Sequence, residues 1–209
     1  MDYLVRTMLF WVVAALWTPS ALAQGRTDVA EAATRLFDRM PVVTRVDRIA
    51  GECGADSRVN TVAAYCTSDN TIFFAPSGHD DGLANYLLAH VFGHAVQVQH
   101  GVADVALREI TRRPADEVVL RGYVERQVDC IAGVLLAEAG LDLPDMLDQL
   151  TADPLDQPHW GRRPLHRGPH LPVPIAERAY WLGQGHQQGL AGCAVGEFGP
   201  ELLLAARNR

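Results

Sequence analysis

Two stretches of this chain carry ionisable side chains on rows where an amphipathic helix keeps its apolar, core-facing residues, and this restricts how the chain can pack. The first runs from about Gly82 to His100, capped by Asp80 or Asp81 and ended by Gly101, with Leu83, Leu87, His90 and His94 on one face. The second begins near Pro114, suited to a first helical position with Asp116 and Glu117 behind it, and stops at Gly140. Its stripe is Val118, Gly122, Glu125, Asp129, Ala132 and Leu136, at steps of four, three, four, three and four residues. Burying two carboxylates without a cation or strong donors costs several kcal/mol each, and the chain has no lysine to neutralise them.

The flanking segments read as a small α+β domain. Asp28 with Glu31 looks like a capping box, and Val29, Ala32, Ala33, Leu36, Phe37 and Met40 recur at helical spacing up to Pro41. Val42 to Ile49 is rich in β-branched residues, and Thr61 to Cys66 and Thr71 to Ala75 flank the turn-forming Thr67-Ser68-Asp69-Asn70, so a small antiparallel sheet ending in a hairpin is expected. Thr151 to Pro174 is Pro-rich, holds His159, Arg162, Arg163, His166, Arg167 and His170, and lacks a hydrophobic period; it reads as a solvated surface loop, the alternative being a second metal or anion site formed by His159, His166 and His170 with their arginines. A last helix runs from Pro174 to Gly189 with Ile175, Ala179, Leu182 and His186 on one face. Neither a repeat nor a second domain is visible across the 209 residues, and 48% hydrophobic content is enough for a real core.

The N-terminus has the order of a secretory signal. Arg6 precedes the apolar run Met8 to Trp17, and Ala21-Leu22-Ala23 offers a small-residue cleavage site before Gln24, so residues 1–23 are expected to be a signal peptide and 24–209 the domain. Cleaved, the protein is secreted or periplasmic; uncleaved, the same segment would anchor it to a membrane. Four cysteines remain, Cys53, Cys66, Cys130 and Cys193, with three pairings open by arithmetic and nearest neighbours the simplest choice. No Cys-x-x-Cys pair supports metal binding by these thiols. With 18 basic against 25 acidic side chains the chain is acidic, which argues against a nucleic-acid partner. All its basic residues being arginine, Schiff-base and lysine-nucleophile chemistry are excluded.

His90 and His94 are one helical turn apart, so their rings project to one side at a separation that can hold one cation. The same spacing also suits two hydrogen-bonded core histidines; the inward carboxylates favour the metal. Glu125 is the candidate third ligand, giving two nitrogens and one oxygen of the kind zinc takes in hydrolytic sites, and Asp129 is placed to accept a hydrogen bond from a ligating histidine.

Leu88-Ala89-His90-Val91-Phe92-Gly93-His94-Ala95-Val96-Gln97 resembles the active-site helix of the neutral zinc metallopeptidase family, A-H-E-x-G-H-H-V-Q. Glu125-Arg126-Gln127-Val128-Asp129-Cys130-Ile131-Ala132-Gly133 is similar to that family's E-L-Q-A-D-C-x-A-G. Cys53-Gly54, Ala64-Tyr65-Cys66-Thr67-Ser68-Asp69-Asn70-Thr71-Ile72, and Arg178-Ala179-Tyr180-Trp181 with Gly189 and Cys193 follow its remaining segments in order. The resemblance implies a zincin-like, mostly helical single domain, zinc on His90, His94 and Glu125, and disulfides Cys53–Cys66 and Cys130–Cys193.

One departure outweighs the matches. Where the family has its catalytic glutamate directly after the first histidine, this chain has Val91. Valine can neither take a proton from water at the zinc nor pass one to a leaving amine, and losing a positioned acid–base group typically costs ~10²- to 10⁴-fold in rate. No catalytic residue is therefore assigned. The expectation is a secreted zinc-binding pseudopeptidase with a binding or scaffolding role toward an extracytoplasmic peptide or protein. The alternatives are a weakly active peptidase using another base, for which His79, Asp80, Asp81, His100 and His186 are candidates, and a metal-free domain whose cleft has lost its function.

Overall fold

A computed structural model of the protein describes residues 21–76, 78–143, 154–165, 171 and 173–208. Helix α1 (Ala21–Leu36) leads into strands β1 (Val42–Arg45), β2 (Ala63–Cys66) and β3 (Thr71–Phe74). Helices α2 (Asp81–Gln99), α3 (Val102–Arg112) and α4 (Glu117–Glu138) follow, then the two-residue strand β4 (Trp160–Gly161) and helices α5 (Ile175–Gln188) and α6 (Glu201–Ala206). The chain is mixed α/β and mostly helical, with one four-stranded sheet and two disulfides among the described residues.

Helix α2 is the centre of the molecule. Asp80 caps it, its Oδ1 accepting from the Gly82 and Leu83 amides at 2.9 and 3.3 Å, and every residue from Ala84 to Gln97 is buried. A helix this apolar all round must be enclosed, and α1, α3, α4 and the sheet enclose it. Gly101, at φ +78, ends it and lets the chain restart at once as α3, whose Val102, Ala106 and Ile110 face inward. That helix lies in a stretch the sequence reading left unassigned.

The sheet is mixed rather than antiparallel. Its order is β1-β3-β2-β4, with β2 and β3 forming the expected hairpin but β1 lying parallel to β3 and β4 parallel to β2. A tight turn forces its two strands antiparallel, whereas β1 and β4 reach the sheet through long connections that allow either direction. The connection after β1 is held to β2 by Cys53–Cys66, and Asn70 closes the hairpin at φ +46, a conformation asparagine tolerates.

Helices α4 and α5 cross at backbone contact. A Cβ on Gly133 would sit 2.0 Å from the Leu182 carbonyl oxygen, and one on Gly185 would sit 1.8 Å from that of Cys130. Cys130–Cys193 ties the same region to the segment after α5. The disulfide pairing is thus the one the sequence suggested.

Three boundaries differ from expectation. Helix α1 continues through Asp28, so the supposed capping box lies inside it, and it ends at Leu36 rather than Met40 because Phe37 bridges Arg207. A 3-10 turn at Pro114–Asp116 precedes α4, and Val118, placed on its inward stripe, is 69% exposed while the rest of that stripe is buried. The expected signal segment lies outside the described residues except for 21–23, the start of α1. No helix of the described residues is long and apolar enough to cross a membrane.

Candidate metal centre

The packing of α2 on α4 brings the two ionisable rows together. Gly93, between the two histidines, lets Val128 of α4 approach so closely that a Cβ there would lie 2.8 Å from Val128 Cγ1 and 3.0 Å from its carbonyl oxygen. His90 and His94, both fully buried, then face Glu125 across the contact, with Nε2 to carboxylate separations of 3.5 and 3.6 Å. All three residues named from the sequence as ligands meet, and Asp129 lies beside them.

A fourth member was missed. His159, taken above as part of a solvated loop, is 5% exposed and points its Nε2 to within 3.2 Å of His90 Nε2 and 3.1 Å of His94 Nε2. It is there because the chain around it is captured by the edge of the sheet: Asn60, Tyr65 and Thr67 donate their amides to the carbonyls of Pro158, His159 and Gly161 at 2.9, 2.8 and 2.8 Å. Leu155 and Leu165 are buried on either side, while Arg162 and Arg163 are exposed as expected. His166, Arg167 and His170 lie outside the described residues. The one sequence hint was an apolar Trp160 next to the histidine; a two-residue strand is too short to show a period.

Proton positions follow from the partners. Asp129 Oδ1 can only accept, so His90 Nδ1, 2.8 Å away, carries a hydrogen; the Gln157 carbonyl likewise fixes the hydrogen on His159 Nδ1 at 2.8 Å. In the neutral rings both Nε2 atoms are then bare lone pairs, facing each other at 3.2 Å. Glu125 Oε2 is buried with no hydrogen-bond partner. Such an arrangement calls for a positive charge among these atoms. The donor atoms of His90, His94, Glu125 and His159 all lie within 4.8 Å of one another, so the group can hold a metal ion. Zinc bonds of about 2.0–2.1 Å place tetrahedral donors about 3.3–3.4 Å apart, close to the separations found.

Burial is the dominant influence on the protonation of the cluster. It pushes His94 well below the ordinary imidazole range and His159 down to about 4, so both rings are neutral and fit to ligate. Burial also opposes the charge on His90, but Asp129 and then Glu125 outweigh it and raise that ring. For Glu125 burial opposes ionisation, and the imidazoles around it, His94 first, hold its carboxyl well below the usual range whenever one of them carries the proton. Asp129 accepts from His90, from the Tyr86 hydroxyl at 2.8 Å and from Arg178 Nη1 at 3.0 Å. Arg178, 1% exposed on α5, also lies 3.8 Å from Glu125. The compensating cation that lysine could not supply thus comes in part from an arginine on a third helix.

Beside the centre is a cavity of about 230 Å³ between α3, α4 and the β4 segment. Ala106, Leu107, Ile110, Val124 and Leu155 give it an apolar wall, and Glu125, His159 and Arg178 also line it. Val91 is not among its lining residues; it is fully buried in the main hydrophobic core. The other candidate bases are dispersed. Asp80 and Asp81 are at the start of α2, His79 precedes them, His100 packs on Phe37 with ring centroids 5.8 Å apart, and His186 Nε2 lies 3.2 Å from the Leu141 carbonyl oxygen. No family model, curated protein or solved structure matches the chain.

Proposed function

We propose that this protein is a zinc-binding pseudopeptidase, a zincin-like domain of the neutral zinc metallopeptidase kind that works outside the cytoplasm as a binding or scaffolding module. The observation that carries the reading is the convergence of bare imidazole Nε2 atoms and a buried, ionised Glu125 at zinc-like separations, with valine in the position of the base. Zinc held by His90, His94 and Glu125 with a position left open would supply Lewis acidity to polarise a carbonyl. Hydrolysis also needs a group that moves a proton, and Val91, packed in the core, offers none. The residues that remain do something else well: Asp129 orients His90, the Gln157 carbonyl orients His159, and Trp160 stacks on His94 at 4.6 Å with 19° between the planes. The adjoining apolar cavity suits one bulky side chain of a peptide partner. Two disulfides favour an oxidising, extracytoplasmic compartment.

The test is metal content and turnover together. The purified protein is expected to carry about one zinc per chain, to lose it and melt at lower temperature when His94 is replaced by Ala, and to leave unfolded protein substrates uncut above a zinc-only background. Protein that cannot take up zinc at neutral pH overturns the metal reading. Robust turnover abolished by chelation overturns the pseudopeptidase reading. In that event Asp156, the cavity-lining carboxylate besides Glu125 among the described residues, is the base to replace first.

A further inference from the structure

We propose that His159 is the fourth ligand of the metal and that the centre is coordinatively closed, so that the ion fastens residues 154–165 to α2 and α4 and leaves no position for a substrate. The proposal rests on the metal reading above and goes beyond it, because that reading needs only His90, His94 and Glu125. Four donors fill a tetrahedral ion; three protein donors and one open position are what hydrolytic zinc sites keep. His159 Nε2 is 3.2, 3.1 and 3.9 Å from the donor atoms of His90, His94 and Glu125, which places it at a tetrahedral corner of its own rather than outside the cluster.

The segment is built to deliver that nitrogen. The amides of Tyr65 and Thr67 bond the carbonyls of His159 and Gly161, so the intervening Trp160 is registered against Tyr65 and its ring falls on His94. Asn60 holds the approach, donating its amide to the Pro158 carbonyl and its Nδ2 to the Pro154 carbonyl, each at 2.9 Å. On the far side Arg163 N donates to Ser68 Oγ and Leu165 N to the Cys53 carbonyl at 2.9 and 3.0 Å. With both ends and the backbone fixed to the sheet, and Nδ1–H committed to Gln157, Nε2 has one direction to face. Closure and the loss of the base then work together: a centre with no open corner has no use for a glutamate at position 91, and a buried carboxylate there would have no proton to take.

X-ray absorption at the zinc edge of the zinc-loaded full chain tests the proposal without any variant. Three imidazoles and one carboxylate in four-coordination are expected; two imidazoles with a solvent ligand overturn it. In the cobalt-substituted protein the visible spectrum is expected to ignore azide. His159→Ala, with His159→Gln as a volume-keeping second variant, is expected to bind metal at least ~10- to 100-fold more weakly, to respond to azide, and to regain the wild-type spectrum with imidazole. A wild-type spectrum that shifts with azide, or variants whose spectrum and affinity match wild type, overturns the closed centre while leaving the metal site standing. Absence of metal uptake by the wild-type chain overturns instead the reading on which it rests.

Discussion

Replacing Gly93 by Ala tests whether the α2–α4 contact sets the spacing of the ligands. The new Cβ would lie 2.8 Å from Val128 Cγ1, 3.0 Å from Val128 O and 3.4 Å from Val128 Cα. The side chain of Val128 can turn away; its backbone cannot. Restoring ordinary contact to the carbonyl, about 3.3–3.6 Å, moves the helices apart by roughly 0.3–0.6 Å. The His90–Glu125 and His94–Glu125 separations, now 3.5 and 3.6 Å, would lengthen by a similar amount. Metal bonds tolerate only about ±0.2 Å, so zinc affinity is expected to fall tenfold or more. In the metal-free protein the overpacking cost of about 1–3 kcal/mol is partly offset by about 1 kcal/mol of helix propensity, giving a small net loss. With zinc present a tenfold weaker affinity removes about 1.4 kcal/mol more, or roughly 3–6 °C of melting temperature in a chain of this size. Calorimetry with and without zinc reads both numbers. Equal losses in the two states, or unchanged zinc affinity, would refute the idea that Gly93 sets the ligand spacing.

Other variants address the supporting structure. Arg178→Met leaves Asp129 and Glu125 without their shared guanidinium and is expected to cost about 3–5 kcal/mol in urea unfolding; a loss near zero would mean that the carboxylates do not depend on it. Replacing Cys130 and Cys193 together by Ala opens a loop of sequence separation 63, worth roughly 4 kcal/mol in the chain-entropy model, and should weaken zinc binding because α4 carries Glu125. Preserved stability would show that the α4–α5 crossing suffices. Gly133→Ala, with its Cβ 2.0 Å from the Leu182 carbonyl oxygen, is expected to be more destabilising than Gly93→Ala in denaturant titration, and the reverse order would contradict the assigned backbone contact. Val91→Glu puts a carboxylate into the apolar core, so it should lower stability and give no peptide turnover; turnover by this single variant would count against a closed centre.

Much of the centre was legible in the sequence because helical geometry is local. A four-residue step brings two side chains onto one face whatever the rest of the chain does, so His90 with His94, and Glu125 with Asp129, could be read as pairs before any packing was known. The hairpin was legible for the same reason, since a short polar turn between β-branched runs leaves one option. What the two helices would meet was not. Helix α2 has apolar residues on every side besides its histidine row, which shows that it is enclosed but not by what, and Val118 shows that a regular stripe can run past the end of the contact. The parallel placement of β1 and β4 depends on long connections whose path no period records. His159 and Arg178 belong to that second class. One immediately precedes a strand of two residues and the other lies on a helix late in the chain; Trp160 beside His159 hints at burial, but no neighbour in sequence places either residue in the centre. Their positions come from unpaired backbone groups on β2 and from glycines that let α4 and α5 touch, interactions between residues far apart in the chain that exist only once it has folded.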